Sequence, residues 1–166
     1  MCGIFGYIGT QQALPLLVEG LRRLEYRGYD STGVAIHGEK DVAIHKTVGK
    51  VADLQAILPA QVEGTMGIAH TRWATHGGVT QVNTHPHHAH DGNIHLVHNG
   101  IIENFRSLRQ HLEQQNIECI SETDSEVLVQ MMALERAQGA TPLEAVQRTL
   151  KRVRGTWGLC IMFRDE

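Results

Sequence analysis

No run in this chain approaches the roughly 20 consecutive apolar residues that a membrane-spanning helix needs, so no membrane partner is expected. A surplus of positive charge is also lacking, with 15 Lys plus Arg against 18 Asp plus Glu and a formal charge of -3. Without a basic footprint there is no electrostatic case for a nucleic-acid partner. The first residues, MCGIFGYIG, have neither the basic segment nor the long apolar segment of a secretion signal. Cysteine is scarce: Cys2, Cys119 and Cys160 are odd in number and widely spaced. That is no disulfide framework, and it points to a reducing cytoplasm. Internal repeats and low-complexity tracts are absent as well. What remains is 166 residues, 42% hydrophobic and 20% charged, with a mean hydropathy of -0.21. Such a chain can bury a core and form one domain, or one domain and a fragment.

Periodicity supplies the elements. Residues 2–9 read as a short buried strand punctuated by Gly3, Gly6 and Gly9. Leu14, Leu17, Val18, Leu21 and Leu24 fall at helical spacing, and Gly28 ends that helix. Residues 33–37 and 41–48 predict a hairpin turning at His37–Lys40, and Val51, Leu54, Ile57 and Leu58 a short helix stopped before Pro59. Met66–Ala69 is a further buried strand, and 77–92 is a long flexible polar loop, a place where function often resides. Ile94–His98 predicts a strand closed by His98-Asn99-Gly100, and helices are expected over 103–115, 124–137 and 142–153 before a last strand over 156–163. Strands at both ends with helices between favour an α+β layered domain over βαβ alternation. An apolar strand so close to the final residue leads us to expect further elements beyond it.

Several residues carry chemistry. Once Met1 is removed, Cys2 would hold a thiol and a free α-amine on one residue, the amine titrating at about 7.7–8.0 and able to act as the base. The bland alternative is an inert thiol opening a strand. Asn99 and Gly100 offer a side-chain amide and a backbone N–H, the pair from which an oxyanion hole is built; taken alone, the dipeptide reads first as an ordinary Asn-Gly turn. In HTRWATHG, Arg72 has the planar fork that recognises a carboxylate, and Thr75 and His76 could add hydrogen bonds. The competing reading is a surface arginine beside a core Trp73. Thr123–Glu126 has the form of a capping box, so Asp124 reads first as a helix-terminal charge and second as a ligand for an amino group. Of the 11 histidines, eight lie between His70 and His98. Their spacing matches no zinc signature, so no metal site is expected.

Taken in order, CGIFG, LRRLEYRGYDSTG, HTRWATHG, NTHPH, HNGIIEN and SETDSEV resemble the class II glutamine amidotransferases, which use an N-terminal nucleophile. RGYDS is more similar to the hexosamine-forming branch than to the HRGQD of amidophosphoribosyltransferases or the RGPD of asparagine synthetases. The resemblance implies a four-layer αββα sandwich with its last strands missing. It implies a glutaminase domain over 2–166, incomplete at its C-terminal end and without the sugar isomerase domains. Cys2 becomes the nucleophile and Asn99 with Gly100 the oxyanion hole. Arg72, aided by Thr75 and His76, takes the α-carboxylate of glutamine, and Asp124 takes its α-ammonium. Arg27 and His98 form a supporting shell, while Trp73 closes the site. Glutamine is the implied substrate, fructose 6-phosphate the ammonia acceptor in the complete enzyme, and no cofactor is required. The alternative kept open is an inactive glutamine-binding module of the same fold.

Overall fold

β1 (Gly3–Ile8) pairs antiparallel with β4 (Met66–Arg72) in a computed structural model that describes residues 2–165. β4 and β2 (Ser31–His37) are the inner strands of a sheet ordered β1-β4-β2-β3, with β2 and β3 (Val42–Val48) forming the expected hairpin. One face of this sheet carries α1 (Ala13–Leu24) and α2 (Val51–Ile57), where Leu17, Leu21 and Leu54 pack on Val34, Ile36 and Ala69. The 3.6-residue spacing of the α1 leucines is the cause, because it aligns one apolar stripe along the helix. A 3-10 turn over Glu25–Arg27 follows, and Gly28, at φ 73°, ends it in a conformation that suits glycine.

The second sheet is ordered β5-β6-β7: His87–His88, Ile94–Ile102 and Gly155–Phe163. Its outer face carries α3 (Phe105–Gln114), α4 (Asp124–Ala137) and α5 (Pro142–Arg152), packed through Leu108, Leu112, Leu128, Met131 and Met132. α4 is buried over most of its circumference, with helix α5 on one side and the sheet on the other. Between the sheets lies a thinner apolar layer of Ala35, Ile68, Val97 and Met162. The layers therefore run helix, sheet, sheet, helix.

Two expectations are corrected. β6 does not close at His98-Asn99-Gly100 but runs on to Ile102, because β7 pairs with it throughout, Asn99 opposite Gly158 and Gly100 opposite Trp157. α3 accordingly begins at Phe105 and not at 103. The 77–92 segment is not a flexible solvated loop either. Asn83, Thr84, His85, His87 and Ala89 are buried, and Lys46 Nζ donates to the Thr84 carbonyl at 2.9 Å. Gly33 permits this packing: a Cβ there would lie 2.1 Å from the His85 carbonyl oxygen. Met1, whose removal is the condition for a free Cys2 α-amine, lies outside the described residues.

Candidate active site

Strand register assembles the site before any side chain is considered. Gly3 pairs with Thr71 and Ser31 with Arg72, so Cys2 arrives level with the end of β4. The Cys2 Sγ accepts a hydrogen bond from the Trp73 backbone N–H at 3.1 Å. β6 of the other sheet crosses here, and the Asn99 Nδ2 donates to the Cys2 carbonyl at 3.3 Å. A cavity of about 590 Å³ opens at this junction, a size suited to a small polar ligand. Every residue singled out in the sequence lines it: Cys2, Arg27, Arg72, Trp73, Thr75, His76, His98, Asn99, Gly100 and Asp124.

Each group is held by identifiable neighbours. Gly100 has φ 139°, and a Cβ on it would lie 2.0 Å from the Thr156 carbonyl oxygen, so the close approach of β7 requires glycine there. Arg72 is 3% exposed, and its guanidinium donates to the carbonyls of His76 at 2.5 Å and Gly78 at 3.2 Å. These bonds fold the 76–78 segment under the guanidinium. Asn83 and Glu122 hold the same segment from below: Glu122 accepts from Asn83 Nδ2 at 2.9 Å and from the Gly78 N–H at 3.2 Å. Trp73 is not a core residue. It is 54% exposed at the mouth of the cavity.

Asp124 resolves its two readings in an unexpected way. Thr123 does cap α4, accepting from the Glu126 N–H at 3.2 Å, yet Glu126 does not return the bond. Its carboxylate accepts instead from the backbone of Ile120 at 2.9 Å and Ser121 at 2.5 Å. Asp124 itself is 4% exposed and accepts from the Ile102 N–H at 2.8 Å, which fixes its carboxylate at the cavity wall. His76 Nδ1 lies 3.9 Å from it. His98 contacts Ser125 Oγ through Nδ1 at 2.9 Å. Burial pushes the His98 pKa below its ordinary value, and the nearby Asp124 charge offsets part of that. Near neutral pH this ring is therefore uncharged.

The sequence reading missed three groups. His70 contacts the Asn99 Oδ1 through Nε2 at 2.8 Å. Asp30 accepts from the Ala74 N–H at 2.6 Å and from Ser31 Oγ at 2.9 Å, fixing the turn that carries Trp73. His85 lines the cavity at 4% exposure. All three stand inside motifs quoted from the sequence, Asp30 in RGYDST, His70 at the head of HTRWATHG and His85 in NTHPH, but nothing local to those motifs gives them a role.

Comparison with known proteins bears on the family and the fold. A family model described as a glutamine amidotransferase domain matches residues 70–166. The chain is 47% identical over 167 residues to the glutamine–fructose-6-phosphate aminotransferase (isomerizing) of Mesorhizobium japonicum, covering 100% of this chain and 27% of that protein. It is 46% identical to the protein of the same name from Thermus thermophilus and 44% identical to that of Chlamydia trachomatis, in each case over 99% of this chain and 27% of the relative. The chain thus spans about a quarter of the length of these relatives. Among solved structures, it is similar to a glutamine phosphoribosylpyrophosphate amidotransferase from B. subtilis, with TM-score 0.84 and 26% identity, over 99% of this chain and 35% of that one. A second structure, described as the allosteric regulatory enzyme of purine biosynthesis, gives TM-score 0.85 at 27% identity, over 99% of this chain and 36% of the other.

Proposed function

Because this chain belongs to the glutamine amidotransferase domain family, we propose that it releases ammonia from glutamine through a thioester on Cys2. In a protein with the length of its relatives, that ammonia would go to fructose 6-phosphate. The fold is the N-terminal-nucleophile hydrolase sandwich, in helix–sheet–sheet–helix layers. One observation carries the proposal. A thiol, an amide beside a strained glycine, a buried guanidinium and a buried carboxylate, all far apart in sequence, line a single cavity.

Glutamine is a zwitterion with an amide at its far end. Arg72 suits its α-carboxylate and Asp124 its α-ammonium, each a charge-assisted contact in a largely buried setting. That leaves the side-chain amide for Cys2. With Met1 removed, the α-amine of Cys2 takes the thiol proton, and the thiolate attacks the amide carbonyl carbon. The C–O double bond opens to an oxyanion, which receives hydrogen bonds from Asn99 Nδ2 and the Gly100 N–H. The protonated amine returns its proton to the leaving nitrogen, the C–N bond breaks, and ammonia departs from a γ-glutamyl thioester. Water, deprotonated by the same amine, then attacks the thioester to give glutamate and the free thiol. Trp73 is assigned to closing the mouth, and Thr75 and His76 to the carboxylate end. Arg27 and His98 support the wall of the cavity. Chemistry that depends on a reduced thiol fits a cytoplasmic location, which belongs to the same proposal.

The test pairs glutamate release with trapping of Cys2 by an electrophilic glutamine analogue, followed by mass spectrometry of the N-terminal peptide. Hydrolysis with one label per chain is expected. Glutamine binding without label or glutamate would replace the enzyme with a binding module.

A further inference from the structure

The geometry points to His70 as a positioning residue that fixes the orientation of the Asn99 amide, so that Nδ2 and not Oδ1 faces the reacting carbonyl. This inference rests on the proposed glutamine hydrolysis and names a group that the hydrolysis needs but that touches no substrate.

A primary amide has nearly the same shape in its two flipped orientations. Its neighbours decide which end is the donor. Asn99 has two such neighbours: His70 Nε2 at 2.8 Å from Oδ1, and the Cys2 carbonyl oxygen at 3.3 Å from Nδ2. Flipping the amide would set Oδ1 against the Cys2 carbonyl, two acceptors with no hydrogen between them. It would also turn the Asn99 donor away from the oxyanion position. The observed orientation requires a proton on His70 Nε2, which donates to Oδ1. One amide hydrogen then meets the Cys2 carbonyl, and the second is left for the oxyanion.

His70 is well placed to enforce this. It stands on β4, the strand that carries Arg72, and is 1% exposed. The His85 ring stacks on it with centroids 4.2 Å apart, and the His87 ring meets His85 edge-on at 4.6 Å. His87 Nε2 in turn lies 3.0 Å from Thr123 Oγ1, the cap of the helix that begins with Asp124. The three rings thus form a column from the amide end of the cavity to the ammonium end. Gly33 makes the column possible, because any side chain there would strike the His85 backbone. Burial lowers the His70 pKa to about 4, so near neutrality the ring carries a single proton, and the short contact to Oδ1 assigns it to Nε2.

The experiment measures kcat and KM for glutamate release, with thermal transitions, in the 166-residue chain and five variants: Asn99→Ala, His70→Phe, His70→Gln, His70→Asn and the Asn99→Ala/His70→Phe double. Asn99→Ala should lose about 10²–10³ in kcat, as other oxyanion donors do, and His70→Phe should lose a part of that, about 10–100-fold, with KM nearly unchanged. His70→Gln, whose amide N–H reaches the same place, should recover most of the loss. The double variant should be no slower than Asn99→Ala alone, because a residue acting through Asn99 has nothing left to act on. Multiplicative losses in the double variant, or a rise in KM with kcat intact, would overturn the inference. His70→Asn, too short to reach Oδ1, supplies a second comparison. Equal kcat values for His70→Gln and His70→Asn would overturn the inference whatever phenylalanine does to folding. If Asn99→Ala itself keeps full kcat, the oxyanion assignment falls with the proposed mechanism. A slow Asn99→Ala beside a fast His70→Phe removes only the role of His70.

Discussion

Acidification from pH 7 to pH 5 should destabilise this chain steeply, because it buries histidines in their neutral form. Burial lowers His70 and His95 from the ordinary value near 6.5 to about 4, and drives His85 and His87 well below 6.5. All four are 4% exposed or less. Once unfolded, they titrate near 6.5. With folded pKa values depressed, the unfolded state binds more protons between pH 6.5 and 4. Stability is therefore complete above 6.5 and falls as the pH falls through that window. Each such histidine contributes about 1.4 kcal/mol per pH unit. At pH 5, His70 and His95 together cost about 4 kcal/mol, and His85 with His87 act in the same direction. A domain has only about 5–15 kcal/mol in total. The assay is guanidinium unfolding at pH 7, 6 and 5, followed by tryptophan fluorescence and far-ultraviolet circular dichroism. His95 lies away from the cavity, facing His88, His37 and Arg164, so His95→Leu should reduce the pH slope by about one proton. Stability equal at pH 7 and pH 5 to within about 1 kcal/mol would refute the argument, since these rings would then have to be hydrated in the folded chain.

Cys2→Ala should abolish glutamate release while isothermal titration still detects glutamine binding; loss of binding as well would assign the thiol a structural role. Arg72→Ala and Asp124→Asn should raise KM more than they lower kcat, as expected for groups that hold the ground state as firmly as the transition state. If Asp124→Asn shifts only the melting temperature, its carboxylate serves the Ile102 N–H alone. Gly33→Ala should destabilise the fold by about 1–3 kcal/mol through overpacking against the His85 backbone, read from the denaturation midpoint; no shift would mean that the 83–89 segment is not packed as described. Given glutamine and fructose 6-phosphate, the 166-residue chain should release glutamate without forming amino sugar. Detection of glucosamine 6-phosphate by chromatography would show that this region carries more of the reaction than proposed.

The elements were legible in the sequence because each is set by near neighbours. The leucine stripe of α1, the helix stop at Gly28 and the hairpin of β2 and β3 follow from spacing and backbone freedom over a few residues. The candidate site was legible for a different reason. Thiol, amide, guanidinium and carboxylate are residue types with few uses, and their motifs run in a recognisable order along the chain. Where an element ended was less clear: β6 outran its Asn-Gly signal because β7, more than fifty residues later, supplies the hydrogen bonds that continue it. Thr123–Glu126 reads locally as a reciprocal cap, and only the fold turns Glu126 to Ile120 and Ser121 and presents Asp124 to the cavity. The histidines show the divide most clearly. A run such as His85-Pro86-His87-His88 reads in sequence as polar and solvated, yet Gly33, some fifty residues earlier, opens the space in which His85 and His87 are buried beside His70. Composition and periodicity report what a residue is able to do with water and with its own helix or strand. A hydrogen bond such as that between His70 and Asn99 exists only when two strands of different sheets meet, and that meeting is a property of tertiary packing alone.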